Sequence, residues 1–401
     1  MYEDLAILAV FVLVYSATAG GLERTPISGA LVFTAFGLLV GPLGLGWLDL
    51  DVDAEGLRTL AEVTLALVLF TDASNSDLSV LKKTVRIPRR LLLLGLPLTI
   101  VLGFGIGVVL FGDLSLFEIA ILATLLAPTD AALGKAVVTN EAVPANIRQG
   151  LNVESGLNDG ICVPILFVFL ALAAGSAGEQ STTALALGLV AEEIGIGVLV
   201  GVSLTLLGAW LLKLCASRGW ITESWRQLPV IVLAVSCFAV AQVIGGSGFI
   251  AAFVGGLLFG AVAKEHKHGL LLAAEGTGDT LALLTWVVFG VAVVGHTIDQ
   301  MSWEVLLYAV LSLTVVRMLP VFLSLAGTQL RTDEKLFMGW FGPRGLASIV
   351  FAVIVLNEHL PGADTIVLTA VCTIVLSILG HGLSANPLVR VLATRLKNAR
   401  S

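Results

Sequence analysis

The chain has 401 residues and a net charge of −7, with 57% of its residues hydrophobic and only 13% charged. Soluble domains carry about 25% charged residues, so this composition, with a mean hydropathy of +1.00, excludes an ordinary soluble enzyme or binding module. It is that of a polytopic α-helical membrane protein, with apolar runs near the roughly 17–25 residues a helix needs to cross a bilayer and 43 glycines suited to close helix contact in lipid.

Thirteen hydrophobic segments are predicted, at about 5–20, 27–46, 57–75, 91–111, 116–138, 148–174, 185–213, 228–244, 248–263, 272–295, 303–326, 335–356 and 365–383. The first follows MYED with neither a basic n-region nor a small-residue cleavage site, and it reads as a spanning helix, not a signal peptide. Segment 3 closes on Asp72 and Asp77, read as ordinary interfacial charges. Segment 5 is interrupted by LAPTDAALG, where Pro128 removes a backbone donor and Gly134 loosens the helix. Segment 6 carries the polar stretch LNVESGLNDG at 151–160 inside an apolar run. The loop KEHKHG after segment 9 holds His266 and His268, for which no special role is expected. Glu275 and Asp279 in segment 10 read as vestibule charges. Segment 12 is interrupted by FGPRGLA, with Gly342, Pro343 and Gly345. Cys162, Cys215, Cys237 and Cys372 are dispersed in apolar runs with neither metal nor disulfide spacing, and are expected to pack.

Charge tests this count. With the N-terminus outside, the inward loops and the C-terminal tail hold 19 of the 22 basic residues, among them Lys82, Lys83, Arg86, Arg89 and Arg90 after segment 3. Only Arg58 falls in an outward loop, while Arg317 and Arg344 fall inside segments 11 and 12. This is the positive-inside pattern of a multi-pass protein of the plasma (inner) membrane with a cytoplasmic C-terminus. With segment 7 (185–213) as a connector, two six-helix halves, about 1–174 and 228–383, enter from opposite sides, as in inverted-repeat transporters. A short tail, 384–401, completes a single membrane domain. The two interrupted segments are each the fifth of their half.

An ionisable group in the hydrocarbon region is costly and marks a functional site by default. The deep set is Glu62, Asp130, Glu154, Asp159, Glu275, Asp279, Arg317 and Arg344. On segment 6, Ser155 and Asp159 are spaced i,i+4 and share a stripe, with Glu154 and Asn158 on the neighbouring one. Thr129, its carbonyl and hydroxyl expected to be free beside the break, and Asp130 add further oxygens. The set suits a hard alkali cation such as Na+, with no His or Cys nearby to favour a transition metal. A desolvated Asp159 would hold either a proton or a cation, never both, which is the chemical basis of exchange. The bland alternative for Asp130 and Asp159 is a buried structural network. For Glu154 the structural reading is preferred, as an ion pair with Arg317. Arg344 is expected to neutralise helix C-terminal ends in the second broken helix, with Glu62 as its carboxylate partner.

Taken in order, APTDAALGKAVV, VPANIRQGLNVESGLNDGICVP and FGPRGLASIVFA resemble the monovalent cation:proton antiporter 1 family, the NhaP/NHE-type sodium/proton exchangers. The resemblance spans essentially the whole chain. It implies an all-α polytopic membrane protein of about 13 transmembrane helices, in two inverted repeats whose discontinuous helices, segments 5 and 12, cross. It implies a homodimer built from a dimerisation domain and a core domain. It further implies that Asp159 carries the proton or cation, that Asp130, Thr129, Ser155 and Glu154 surround the ion, and that Asn158 and Glu154 are tied to Arg317. The Asn158–Asp159 pair resembles the electroneutral branch, and an amide at 158 removes one titratable charge, so one proton per cation is the simplest stoichiometry. The expected partners are Na+, protons, membrane lipid and a second copy, with neither cofactor nor nucleic acid.

The expected function is therefore antiport of Na+ (or Li+) against H+ by alternating access, and not enzyme catalysis. K+/H+ exchange through the same oxygens is the runner-up, because sequence does not reveal cavity size. GTGD at 276–279 matches the GxGD pattern of intramembrane aspartyl proteases, but their PAL motif does not occur in the chain. A passive channel would need a filter of repeated carbonyls, and none is suggested.

Overall fold

A bilayer offers no hydrogen-bond partners to a bare backbone, and every regular element among the described residues is helical. The computed structural model describes residues 2–22, 25, 27–48, 55–75, 86–130, 133–176, 182–222, 224–263, 267–294 and 301–398. Arg24, Asp77, Lys82, Lys83, Lys264, His266 and Arg400 lie outside the described residues.

The helices are α1 (Tyr2–Leu22), α2 (Gly29–Val40), α3 (Glu55–Asn75), α4 (Arg86–Leu110), α5 (Leu116–Leu125), α6 (Lys135–Val138), α7 (Ala145–Ser176) and α8 (Thr182–Ser217). They continue as α9 (Pro229–Val243), α10 (Gly248–Val262), α11 (Lys267–Val288), α12 (Trp303–Leu313), α13 (Val315–Ser324), α14 (Thr332–Trp340), α15 (Leu346–Asn357) and α16 (Ala363–Asn398). Among the described residues, seven helical stretches are long and apolar enough to cross a membrane: α1, α4, α7, α8, α11 with the turn that follows it, α12 with α13, and α16. The shorter apolar helices are α2, α5, α9, α10 and α15. Serines start several of them: the side chains of Ser28, Ser115, Ser247 and Ser302 each accept from a backbone N–H of the first turn, satisfying donors that have no helical partner.

Segment 5 is divided into α5 and α6, and segment 12 into α14 and α15. Two features were not foreseen. Segment 11 is also interrupted, at Thr314, where the backbone leaves the helical region at φ −107° and ψ −91°. The last helix does not end near 383 but runs to Asn398, through Pro387. Ala385, Val389 and Leu392 supply the reason: they are buried in one cluster with Leu91, Val137 and Val143, so the apolar stripe outlasts the apolar run.

Glycines set the closest approaches. A Cβ on Gly256 would fall on the Phe70 carbonyl and one on Gly260 on the Ser74 carbonyl, so α10 and α3 touch backbone to backbone. Ser74 Oγ donates across that contact to Gly256 O at 3.0 Å. α7, which carries LNVESGLNDG, packs on α3, α5, α8 and α10, and its polar stretch is thereby held at mid-molecule.

Candidate functional site

The two interrupted helices meet at their breaks. Pro128 and Pro343 lack a backbone N–H and bias the preceding residue away from helix, leaving short non-helical stretches after α5 and α14. These touch directly: the Asp130 N–H donates to Pro343 O at 2.8 Å. Glycine permits the contact, because a Cβ on Gly345 would fall on the Asp130 side chain and one on Gly342 on the Arg317 guanidinium.

Each break supplies the charge that the other broken helix's end requires. Asp130 Oδ2 accepts from Leu346 N at 3.1 Å, the first amide of α15, while Oδ1 accepts from Leu133 N at 3.3 Å. Arg344 is fully buried, and its Nη1 donates to Ala127 O at 2.7 Å and Pro128 O at 3.0 Å. Its Nη2 lies 3.5 Å from Ser312 O, near the end of α12. A carboxylate at a helix N-terminus and a cation at a C-terminus are the favourable placements for the helix dipole.

This corrects two expectations for Arg344. It serves the end of the first broken helix, not the second, because its Nη1 reaches two successive carbonyls across the crossing. Its partners are carbonyls and not Glu62, which accepts from Arg58 Nε at 2.7 Å one turn away on α3.

Glu154 and Arg317 form a bidentate pair, with Nη1 to Oε1 at 2.5 Å and Nη2 to Oε2 at 2.8 Å, each side chain only 1% exposed. Arg317 lies in the first turn of α13, just after the break at Thr314, and reaches Glu154 on α7. Both Glu154 oxygens are therefore occupied by the guanidinium.

Thr129 was expected to have free oxygens at the break, and both are engaged. Ser155 Oγ donates to Thr129 O at 2.5 Å and Asn158 Nδ2 to Thr129 Oγ1 at 2.8 Å. The expected division of α7 into a Ser155–Asp159 stripe and a Glu154–Asn158 stripe is thus redrawn. Ser155 and Asn158, at i,i+3, reach the crossing together, and Glu154 alone turns to Arg317. Two side-chain oxygens remain: Asp159 Oδ1 and Asn158 Oδ1 are buried and have no hydrogen-bond partner among the described residues. Buried polar atoms are ordinarily satisfied. A carboxylate and an amide oxygen left open on successive residues are acceptors for a proton or for a hard cation.

One further carboxylate belongs to this region. Asp72, read from the sequence as interfacial, interacts electrostatically with Asp130, Asp159, Asp279 and Glu275. Its signal was the apolar run LALVLF that ends just before it, which places it in the last turn of α3 and not beyond it. Glu275 accepts from Asn75 Nδ2 at 2.5 Å, which ties α11 to the end of α3. Among the described residues no group of three His, Cys, Asp or Glu is gathered as a resident metal would need.

Comparison with known proteins follows the same lines. The family described as "Sodium/hydrogen exchanger, transmembrane" matches residues 7–391. A K(+)/H(+) antiporter NhaP2 of Shewanella oneidensis is 24% identical over 93% of this chain, and a K(+)/H(+) antiporter NhaP of Alkalimonas amylolytica is 23% identical over 96% of it. The chain spans 64% of the length of the first and 67% of the second. The solved structure of the sodium proton antiporter MjNhaP1 from Methanocaldococcus jannaschii at pH 8 superposes with a TM-score of 0.75 at 21% identity, covering 95% of this chain and 98% of that one.

Proposed function

Because the chain belongs to the sodium/hydrogen exchanger family, a family of membrane transporters and not of enzymes, we propose that it is a secondary antiporter that exchanges Na+ for H+ at Asp159. The observation that carries this reading is the pair of buried, unpartnered oxygens on Asn158 and Asp159, next to the crossing of two broken helices. A proton on Asp159 satisfies the orphan as a donor. A desolvated Na+ (or Li+) satisfies it as a cation, with Asn158, Ser155, Thr129 and Asp130 as the oxygens within the same network. The two cannot be held at once, and that exclusion couples the fluxes.

In this reading Asp159 crosses the barrier only when neutralised, because a bare carboxylate is costly in apolar surroundings. Glu154, Arg317 and Arg344 hold the fold of the site, and Asp159 alone exchanges its load, one proton for one cation. The framework would be thirteen crossings in two inverted halves joined by α8, with the C-terminus inside and two copies forming the working dimer. K+ is the second reading of the cargo, favoured by the K(+)/H(+) antiporter names of the Shewanella and Alkalimonas relatives.

Proteoliposomes with an imposed pH gradient test this. Addition of Na+ is expected to drive proton movement more strongly than K+, at a steady rate that a valinomycin-set voltage leaves unchanged. Equal silence to Na+, Li+ and K+ would remove the proposal. A voltage-dependent rate would remove the one-to-one stoichiometry alone.

A further inference from the structure

Helix α16 reaches the second break through one polar stripe. Ser377, His381 and Ser384 stand at i, i+4 and i+7 and so share a face, and each bonds within residues 340–344. Ser384 Oγ accepts from Trp340 Nε1 at 2.8 Å. His381 Nε2 lies 2.8 Å from Trp340 O, and its Nδ1 lies 3.1 Å from Ser377 Oγ and 2.9 Å from Ser377 O. Ser377 Oγ in turn accepts the backbone N–H of Arg344 at 2.7 Å. Ser377 and His381 are both buried.

A carbonyl only accepts, so Nε2 carries hydrogen toward Trp340 O. Nδ1 faces both Ser377 oxygens, the carbonyl at 2.9 Å and the hydroxyl at 3.1 Å, and the hydroxyl also accepts the Arg344 N–H. His381 thus forms one relay from Ser377, which holds the Arg344 N–H, to Trp340 O. That relay joins the two ends of the break, from the last residue of α14 to the residue whose guanidinium caps α5. The intervening FGP stretch has no helical ladder to hold its length. Packing alone, with the His381 and Trp340 ring centroids 5.0 Å apart, would be served equally by an apolar side chain.

We propose that His381 is a positioning residue of the exchange site, setting through Trp340 and Ser377 the span of the second break and hence the seat of Arg344 on Ala127 and Pro128. The transport readout rests on the antiport reading above; the amide readout does not. His381→Leu keeps the bulk and removes the relay, whereas His381→Gln keeps an amide donor within reach of Trp340 O. In proteoliposomes the Leu variant is expected to raise the cation KM about tenfold with turnover within about twofold, the worth of one or two buried hydrogen bonds. The Gln variant should recover most of that loss. Hydrogen–deuterium exchange at the Gly342 and Arg344 amides should quicken in the Leu variant and stay near wild type in the Gln variant. If the wild type exchanges no cation, the antiport reading fails while amide protection still reports on the relay. The proposal is overturned if His381→Leu leaves both KM and amide protection unchanged, or if His381→Gln is impaired as severely as Leu. Should the Leu variant fail to fold, Ser377→Ala breaks the same relay at its hydroxyl and carries the same expectations.

Discussion

Asp159 and Glu154 lie five residues apart on α7 and have opposite surroundings. Glu154 is closed by two bonds from Arg317, while Asp159 keeps an open oxygen at 9% exposure. Substitution should separate them. Asp159→Asn is expected to leave the protein folded and to abolish cation-driven proton flux, and residual exchange above empty liposomes would remove Asp159 from the cycle. Glu154→Gln leaves a buried guanidinium without its counter-charge, a loss of about 3–5 kcal/mol for a broken buried pair. Combining Glu154→Gln with Arg317→Met removes the stranded charge and should recover part of that loss. Thermal unfolding of the detergent-purified variants measures the difference, and a double variant no more stable than the single one would show that the two side chains act independently.

Between elements, the crossing is held by exchanged charges. Gly345→Ala places a methyl on the Asp130 carboxylate and should pull it from the first turn of α15, a charge–dipole term of about 0.3–2 kcal/mol. Exchange should fall, whereas Gly105→Ala, where an added Cβ meets nothing within 4 Å, serves as the neutral control. Arg344→Lys keeps the charge but loses the fork that reaches Ala127, Pro128 and Ser312 together. It should lower stability by about 1.5–3 kcal/mol, the range for hydrogen bonds to a charged group, read as a shift in the unfolding midpoint. The breaks themselves were legible because Pro128 and the Gly342–Pro343–Gly345 cluster write them locally. Which helix end each charge serves was not, since Arg344 and Ala127 are 217 residues apart and no local pattern encodes that meeting. Glu62 is the opposite case, because its partner Arg58 stands i,i+4 from it on the same helix.

At the scale of the molecule, hydropathy fixed where helices lie but not how far they run. α16 continues past its apolar stretch because Ala385, Val389 and Leu392 are buried, and the latter two are worth about 1.5–3 kcal/mol each on burial. A chain ending at Gly382 is therefore expected to unfold at a lower temperature or to be lost on solubilisation, as size-exclusion chromatography of a fluorescent fusion would reveal. Glu154 is closed by Arg317 and Arg344 is seated on the Ala127 and Pro128 carbonyls, whereas Asp72, Asp130 and Asp159 share one region. The same pairs impose an order of synthesis. Arg317 leaves the ribosome 163 residues after Glu154, and Arg344 follows Ala127 by 217. Each cation is costly to leave in lipid alone, so the early helices must already wait in the membrane with their acceptors in place. The burial of both arginines makes the second half of the chain a reader of whether the first half has assembled correctly.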